Sequence, residues 1–136
     1  KKTYISYNNF TYSIEKTKKK KLNTNNQTNI KKSKIFCSLH NQNKNFKYFK
    51  KLNKLNKNVS RVTLDALSYC LLAEGKIDAV IESDLKIYDV AAIIPIVENS
   101  GGFITTWNNK SAEKSGNILA TSNKKLHNKL LKLLKS

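Results

Sequence analysis

From Val59 to the C-terminus, apolar runs of strand length alternate with longer runs of helical period, and that alternation restricts the chain to an α/β layered domain. Val59 to Leu64 has strand character. Asp65 can cap a helix running to Glu74, which Gly75 can end in a left-handed conformation. Ile77 to Ile81 is an apolar strand interrupted by Asp78. Asp89 can cap a second helix, Val90 to about Asn99, closed by Gly101-Gly102, with Pro95 perturbing one turn. Phe103 to Trp107 and Asn117 to Thr121 read as strands around an Asn108-Asn109 turn. Asn123 to Leu134 closes the sequence as a helix carrying Leu126, Leu130 and Leu134 at one-turn spacing.

Ahead of residue 59 the character changes, which divides the sequence into residues 1–58 and 59–136. The first part is rich in Lys, Asn and Thr with scattered aromatics. Thr3 to Tyr7 and Phe10 to Ile14 have strand composition, and Asn8-Asn9 can adopt turn geometry between them. Lys18 to Lys21 is a basic run suited to a solvated loop or a strand edge. Lys34 to Leu39 holds a short buried strand at Ile35-Phe36-Cys37. Asn43 to Lys57 reads as a helix, with Phe46, Phe49, Leu52 and Leu55 on one face and lysines on the other. No internal repeat is present.

Composition removes several function classes. The sequence has 136 residues, 39% of them apolar, and no apolar run long enough to cross a bilayer. Its opening, two lysines and a polar aromatic stretch, lacks the apolar core of a signal peptide. Cys37 and Cys70 form neither a disulfide framework nor a zinc pattern with His40 and His127, so both are expected as reduced, buried thiols of a cytoplasmic protein. The net charge of +17 is the footprint of a nucleic-acid binder. Against that, Arg61 is the sole arginine, and arginine is the residue favoured for bidentate contacts to phosphate and guanine. Lysine, asparagine and isoleucine are enriched together, as AT-rich coding would produce. Nucleic acid therefore ranks below a composition effect. Methionine is absent, even at residue 1. Residue 1 is accordingly read as an internal position of a longer protein, although removal of an initiator or a propeptide gives the same observation.

The stretch Asp65 to Gly102, DALSYCLLAEGKIDAVIESDLKIYDVAAIIPIVENSGG, resembles the C-terminal signature of the inositol monophosphatase superfamily. Tyr88-Asp89 matches the aromatic-Asp pair, Ala91-Ala92 the small residues after it, and Ser100-Gly101-Gly102 the end of the helix. Leu85 to Asp89 is most similar to the histidinol-phosphatase branch, and the closing GGFITTWNN and NILATSNKKLHNKLLKLL follow the family's last strand, turn, strand and helix. The resemblance is specific from about Val59 onward. It implies the C-terminal part of a layered αβαβα sugar-phosphatase fold and a magnesium-dependent hydrolase of small phosphate monoesters. The first substrate the resemblance implies is histidinol phosphate, and the second inositol phosphate or another sugar phosphate. The family's Glu-Glu and Asp-Pro-x-Asp-Gly-Thr metal motifs do not occur in this sequence.

Carried over residue by residue, the resemblance makes Asp89 a metal ligand for Mg2+, Glu82 a substrate-binding acid, and Asp65 a group near the substrate. It places no other catalytic residue here, and the chain by itself is expected to be inactive. The three carboxylates are expected on one side of one open cleft. Thr63 and Leu64 stand where the branch has glycines, and Ile87 where it often has proline. From spacing alone a helix cap is the favoured reading of Asp89 over a ligand, and only the resemblance reverses that order; Asp65 has the same cap alternative, and Glu82 that of an exposed charge just beyond a strand end. Asp78, Asp84 and His127 are expected at the solvated surface, and His40 in a loop. The partner is a small phosphorylated substrate, with a homodimer compatible and no membrane. The competing class is a non-enzymatic basic module in which Lys18 to Lys21 and Lys44 to Lys57 face nucleic acid. A third reading is a truncated family member that only folds or pairs.

Overall fold

The computed structural model describes residues 1–39 and 42–135, the side chains of Gln42 and Asn43 excepted. The expected loop position of His40 lies outside the described residues. Two sheets organise the chain. The first is an antiparallel meander, β1 (Lys2–Tyr7), β2 (Phe10–Glu15) and β3 (Lys18–Lys21). Asn8 and Asn9 make its tight turn at φ 50° and 63°. Asparagine tolerates that left-handed region, and two such residues in succession match the strand twist. The basic run is thus strand, and it forms the fully exposed edge of this sheet.

The second sheet has the order β5-β4-β6-β8-β7. It comprises β4 (Ile35–Ser38), β5 (Val59–Arg61), β6 (Ala79–Leu85), β7 (Phe103–Thr106) and β8 (Gly116–Thr121). β4 is parallel to both β5 and β6, while β8 runs antiparallel to β6 and β7. Side chains alternate across these strands. Ile35, Cys37, Ala79, Ile81 and Leu119 meet α1 (Gln42–Leu55) and α5 (Lys124–Lys135) on one face. Val80, Ile104, Ile118 and Ala120 meet α2 (Ala66–Ala73), α3 (Ile87–Val90) and α4 (Ile93–Glu98) on the other. The meander then packs on the outside of α2 and α4. Ser6 and Thr11 donate to the carbonyls of Pro95 (3.1 Å) and Ile96 (2.9 Å), and Tyr4 donates to Glu74 at 2.6 Å. The resulting layers run β-α-β-α. The far side of the meander leaves Ile5, Tyr7 and Phe10 about 40% exposed.

Local chemistry explains where elements start and stop. Asn123 accepts the Leu126 N–H at 2.9 Å and so caps α5. Gly75 ends α2 at φ 75°, as expected. Gly102 lies where α4 meets β8: a Cβ there would sit 2.8 Å from the Thr121 carbonyl oxygen and from Val97. The expected single helix Val90 to Asn99 is two helices instead. Pro95 has no N–H for the Ala91 carbonyl, so the chain breaks at Ala91-Ala92 and restarts with Pro95 in a first turn, where a missing donor costs nothing. The strand expected over Val59 to Leu64 ends at Arg61, since its partner β4 ends at Ser38.

Two surface expectations are overturned. Asp78 is buried and accepts from the Lys34 N–H (2.8 Å) and Asn25 (3.0 Å), tying the connection before β4 to the start of β6. His127 is also buried, on the apolar face of α5, with Thr105 at 2.8 Å from one ring nitrogen and Thr121 at 2.9 Å from the other. Asp84 is exposed as expected.

Candidate active site

Glu82 belongs to β6 rather than following it. It lies opposite Ser38 of β4 and Ile118 of β8, and is 3% exposed. The strand is longer than its apolar run because Glu82 alternates with Ile81 onto the α2 face, where a partner awaits it. Tyr69, on α2 one turn after Asp65, donates its hydroxyl to Glu82. Burial, and then the charge of Glu82, raise the Tyr69 hydroxyl well above its ordinary pKa, so it stays protonated and remains a donor. Tyr69 was missed in the sequence; its one available signal was a phenol one helical turn beyond Asp65.

Immediately after Glu82 the pairing of β6 with β8 shifts register, and Asp84 takes φ 62°. Such a bulge bends a strand away from its neighbour. Pairing resumes at Leu85, opposite Gly116, where β6 ends, and α3 starts two residues later at Ile87. Asp89 is consequently not the first residue before a helix. It sits at the third position of α3, where its Oδ2 accepts the Lys86 N–H at 2.8 Å and its own N–H donates to the Lys86 carbonyl at 3.0 Å. One carboxylate oxygen closes the turn; Asp89 is otherwise exposed.

Asp65 does occupy the position before α2, but its side chain makes no cap bond. Its backbone is at φ 45°, ψ −132°, a region that glycine favours and that costs other residues of order 1–3 kcal/mol. Thr63 and Leu64 both keep negative φ, so their departure from glycine carries no backbone penalty.

Asp65, Tyr69, Glu82 and Asp89, with Ala66, Leu85 and Tyr88, line one cleft of about 240 Å³. It opens beside the carboxyl end of β6, the edge where ligands collect in open α/β sheets. The sequence has nine Asp and Glu residues in a chain of net charge +17. Three of the nine line this cleft. A sequence profile of the inositol monophosphatase family matches residues 4–136.

This chain belongs to the inositol monophosphatase family.

Relatives and folds agree. Over 60 residues the chain is 48% identical to the chloroplastic bifunctional phosphatase IMPL2 of Arabidopsis thaliana, a stretch covering 43% of this chain and 17% of that protein. Over 67 residues it is 37% identical to a histidinol-phosphatase of Mycobacterium tuberculosis, covering 49% of this chain and 25% of that protein. The extragenic suppressor protein suhB of Bartonella henselae superposes on 93% of this chain and 54% of its own, with a TM-score of 0.76 at 21% identity. An inositol monophosphatase from Anabaena gives 0.75 at 21% identity, over 93% of this chain and 54% of its own. At those identities the superpositions establish the fold. The family member described here thus spans about half the length of these solved structures, and its matched segments are a quarter or less of those two curated relatives.

Proposed function

We propose that this chain supplies the substrate-facing part of a magnesium-dependent phosphate monoester hydrolase, with histidinol phosphate as first substrate and inositol phosphate as second. The observation that carries the reading is the convergence of Asp65, Glu82 and Asp89 on one cleft in a strongly basic chain. Such a cleft favours cationic groups: a metal ion, or the ammonium of an amino-alcohol phosphate. The likeness to a histidinol-phosphatase over 67 residues favours that substrate.

Family enzymes use a metal, typically Mg2+. The residues of this chain do not complete such a site, because no group of three or more His, Cys, Asp or Glu among the described residues could hold an ion. Mg2+ demands near-octahedral oxygen ligation and keeps several waters. Asp89 fits as one contributor, since its second oxygen is not used in the turn, and the other carboxylates must come from outside the described residues. Glu82 has a different task. Buried and held by Tyr69, its carboxylate is oriented to accept hydrogen bonds from a substrate hydroxyl or ammonium group.

The test is phosphate release from histidinol phosphate by the protein containing the complete family site, with and without Mg2+. Asp89→Asn keeps the capping oxygen and removes the charge. It should abolish most of the turnover while leaving the melting temperature within a few degrees. Full activity in the variant would eliminate Asp89 as a ligand, and loss of folding with activity would leave only its role in the turn.

A further inference from the structure

A second cavity, about 810 Å³, lies on the opposite face of the five-stranded sheet from the Glu82 cleft. It sits where β7 runs out at Thr106-Trp107. Five lysines line it: Lys44 and Lys47 from α1, Lys110 and Lys114 from the β7–β8 connection, and Lys135 from α5. Among the described residues no carboxylate side chain lines it; Glu113, between Lys110 and Lys114 in sequence, is absent from its wall.

Like charges converging from three separate segments repel one another, and an anion that neutralises them is bound preferentially by the folded state. The floor is rigid. Trp107 is 6% exposed, packs edge-on against Tyr48 with ring centroids 5.2 Å apart, and donates its Nε1–H to the Ile118 carbonyl at 3.1 Å. Asn117 lines the wall and accepts the Asp84 N–H on its Oδ1, which leaves its NH2 as its side-chain donor. The size lies within the range of small-molecule sites and is larger than one phosphate requires. The cationic groups lining the site are all lysine ammoniums, with no arginine. Ammonium groups act as point charges rather than planar forks, and suit a flexible chain of phosphates better than a single flat anion. The Trp107 ring is too buried to stack a base.

We propose that this lysine-ringed cavity is a binding site for a small molecule carrying a polyphosphate chain, separate from the acidic cleft and recognised through its phosphates alone.

Inorganic tripolyphosphate and ATP are the probes, orthophosphate the comparison, at physiological ionic strength. Trp107 is the single tryptophan of the sequence and reports binding by fluorescence, with calorimetry for the affinity. The expected result is saturable one-site binding of both probes with similar affinity, and binding of orthophosphate at least about tenfold weaker. Lys110→Glu with Lys114→Glu should weaken tripolyphosphate at least about tenfold, because each lost ammonium removes a charge-assisted contact. Lys110→Ala with Lys114→Ala should move it the same way, which covers misfolding of the charge-reversed pair. Lys18→Glu with Lys20→Glu, on the exposed edge strand, makes the same change in net charge and should leave affinity within about twofold. Absence of saturable binding, equal losses in the control pair, or orthophosphate binding as tightly as tripolyphosphate would each overturn the proposal.

Discussion

Acidification should weaken this fold through one residue, His127. Burial depresses its pKa from the ordinary 6.5 to about 4. The neutral ring presents one N–H and one lone pair, which Thr105 and Thr121 can match, one hydroxyl accepting and the other donating. A base whose folded pKa is lowered is protonated first in the unfolded state. Its contribution is therefore complete above pH 6.5 and is lost as pH falls from there toward 4. With those two values the loss between pH 7.5 and pH 4.5 comes to about 2.5 kcal/mol. That figure is a ceiling, because both hydroxyls can turn their protons to the Thr106 and Asn123 carbonyls and accept from an imidazolium. The assay is urea unfolding at pH 7.5, 6.0 and 4.5 for the wild type and for His127→Gln, which has no titrating ring. A loss of about 2 kcal/mol moves a urea midpoint by roughly 1 M. The difference between the two proteins isolates His127 from every carboxylate. A wild type whose midpoint tracks that of the Gln variant across this range would refute the reasoning.

Two substitutions test the backbone. Asp65→Gly should relieve the unfavourable backbone at φ 45° and raise stability by about 1 kcal/mol in a thermal melt, while weakening substrate binding in the complete enzyme. Gly102→Ala should do the reverse, losing about 1–3 kcal/mol, because its Cβ would press on the Thr121 carbonyl oxygen and Val97. A Gly102→Ala protein that unfolds at the wild-type urea midpoint would show that α4 can move off β8 without cost.

What the sequence shows and what it hides divide along physical lines. The Asn8-Asn9 hairpin, α5 and the Gly75 stop were legible because each rests on a local preference that nothing distant opposes. The length of β6 was not, since Glu82 and Ser83 look like a polar end to an apolar run. The approach of Tyr69 from another element, which a strand-by-strand reading does not see, gives the buried glutamate a hydrogen-bond donor there. The same blindness applies to Asp78 and His127, whose polar partners lie in the Lys34 backbone and in two strands. Asp89 was identified by its family motif, yet the bulge after Glu82 moved the helix start by three residues and changed its local role. For the acidic cleft, the residues were readable through their resemblance to a family, while Tyr69, which holds Glu82 in place, was not.

Strand order also decides when the sheet can close as the chain is made. β6 is complete at Leu85, and its second neighbour β8 begins only at Gly116. At roughly 5–20 residues per second of synthesis, that interval lasts about two to six seconds. During it, the apolar segment Ala79 to Ile81 pairs with β4 on one side and has nothing on the other. β7, already synthesised, cannot fill the gap, because its own place is beyond β8. β8 therefore seals two open edges in a single insertion, and until it emerges the nascent chain carries the buried strand β6 half unpaired.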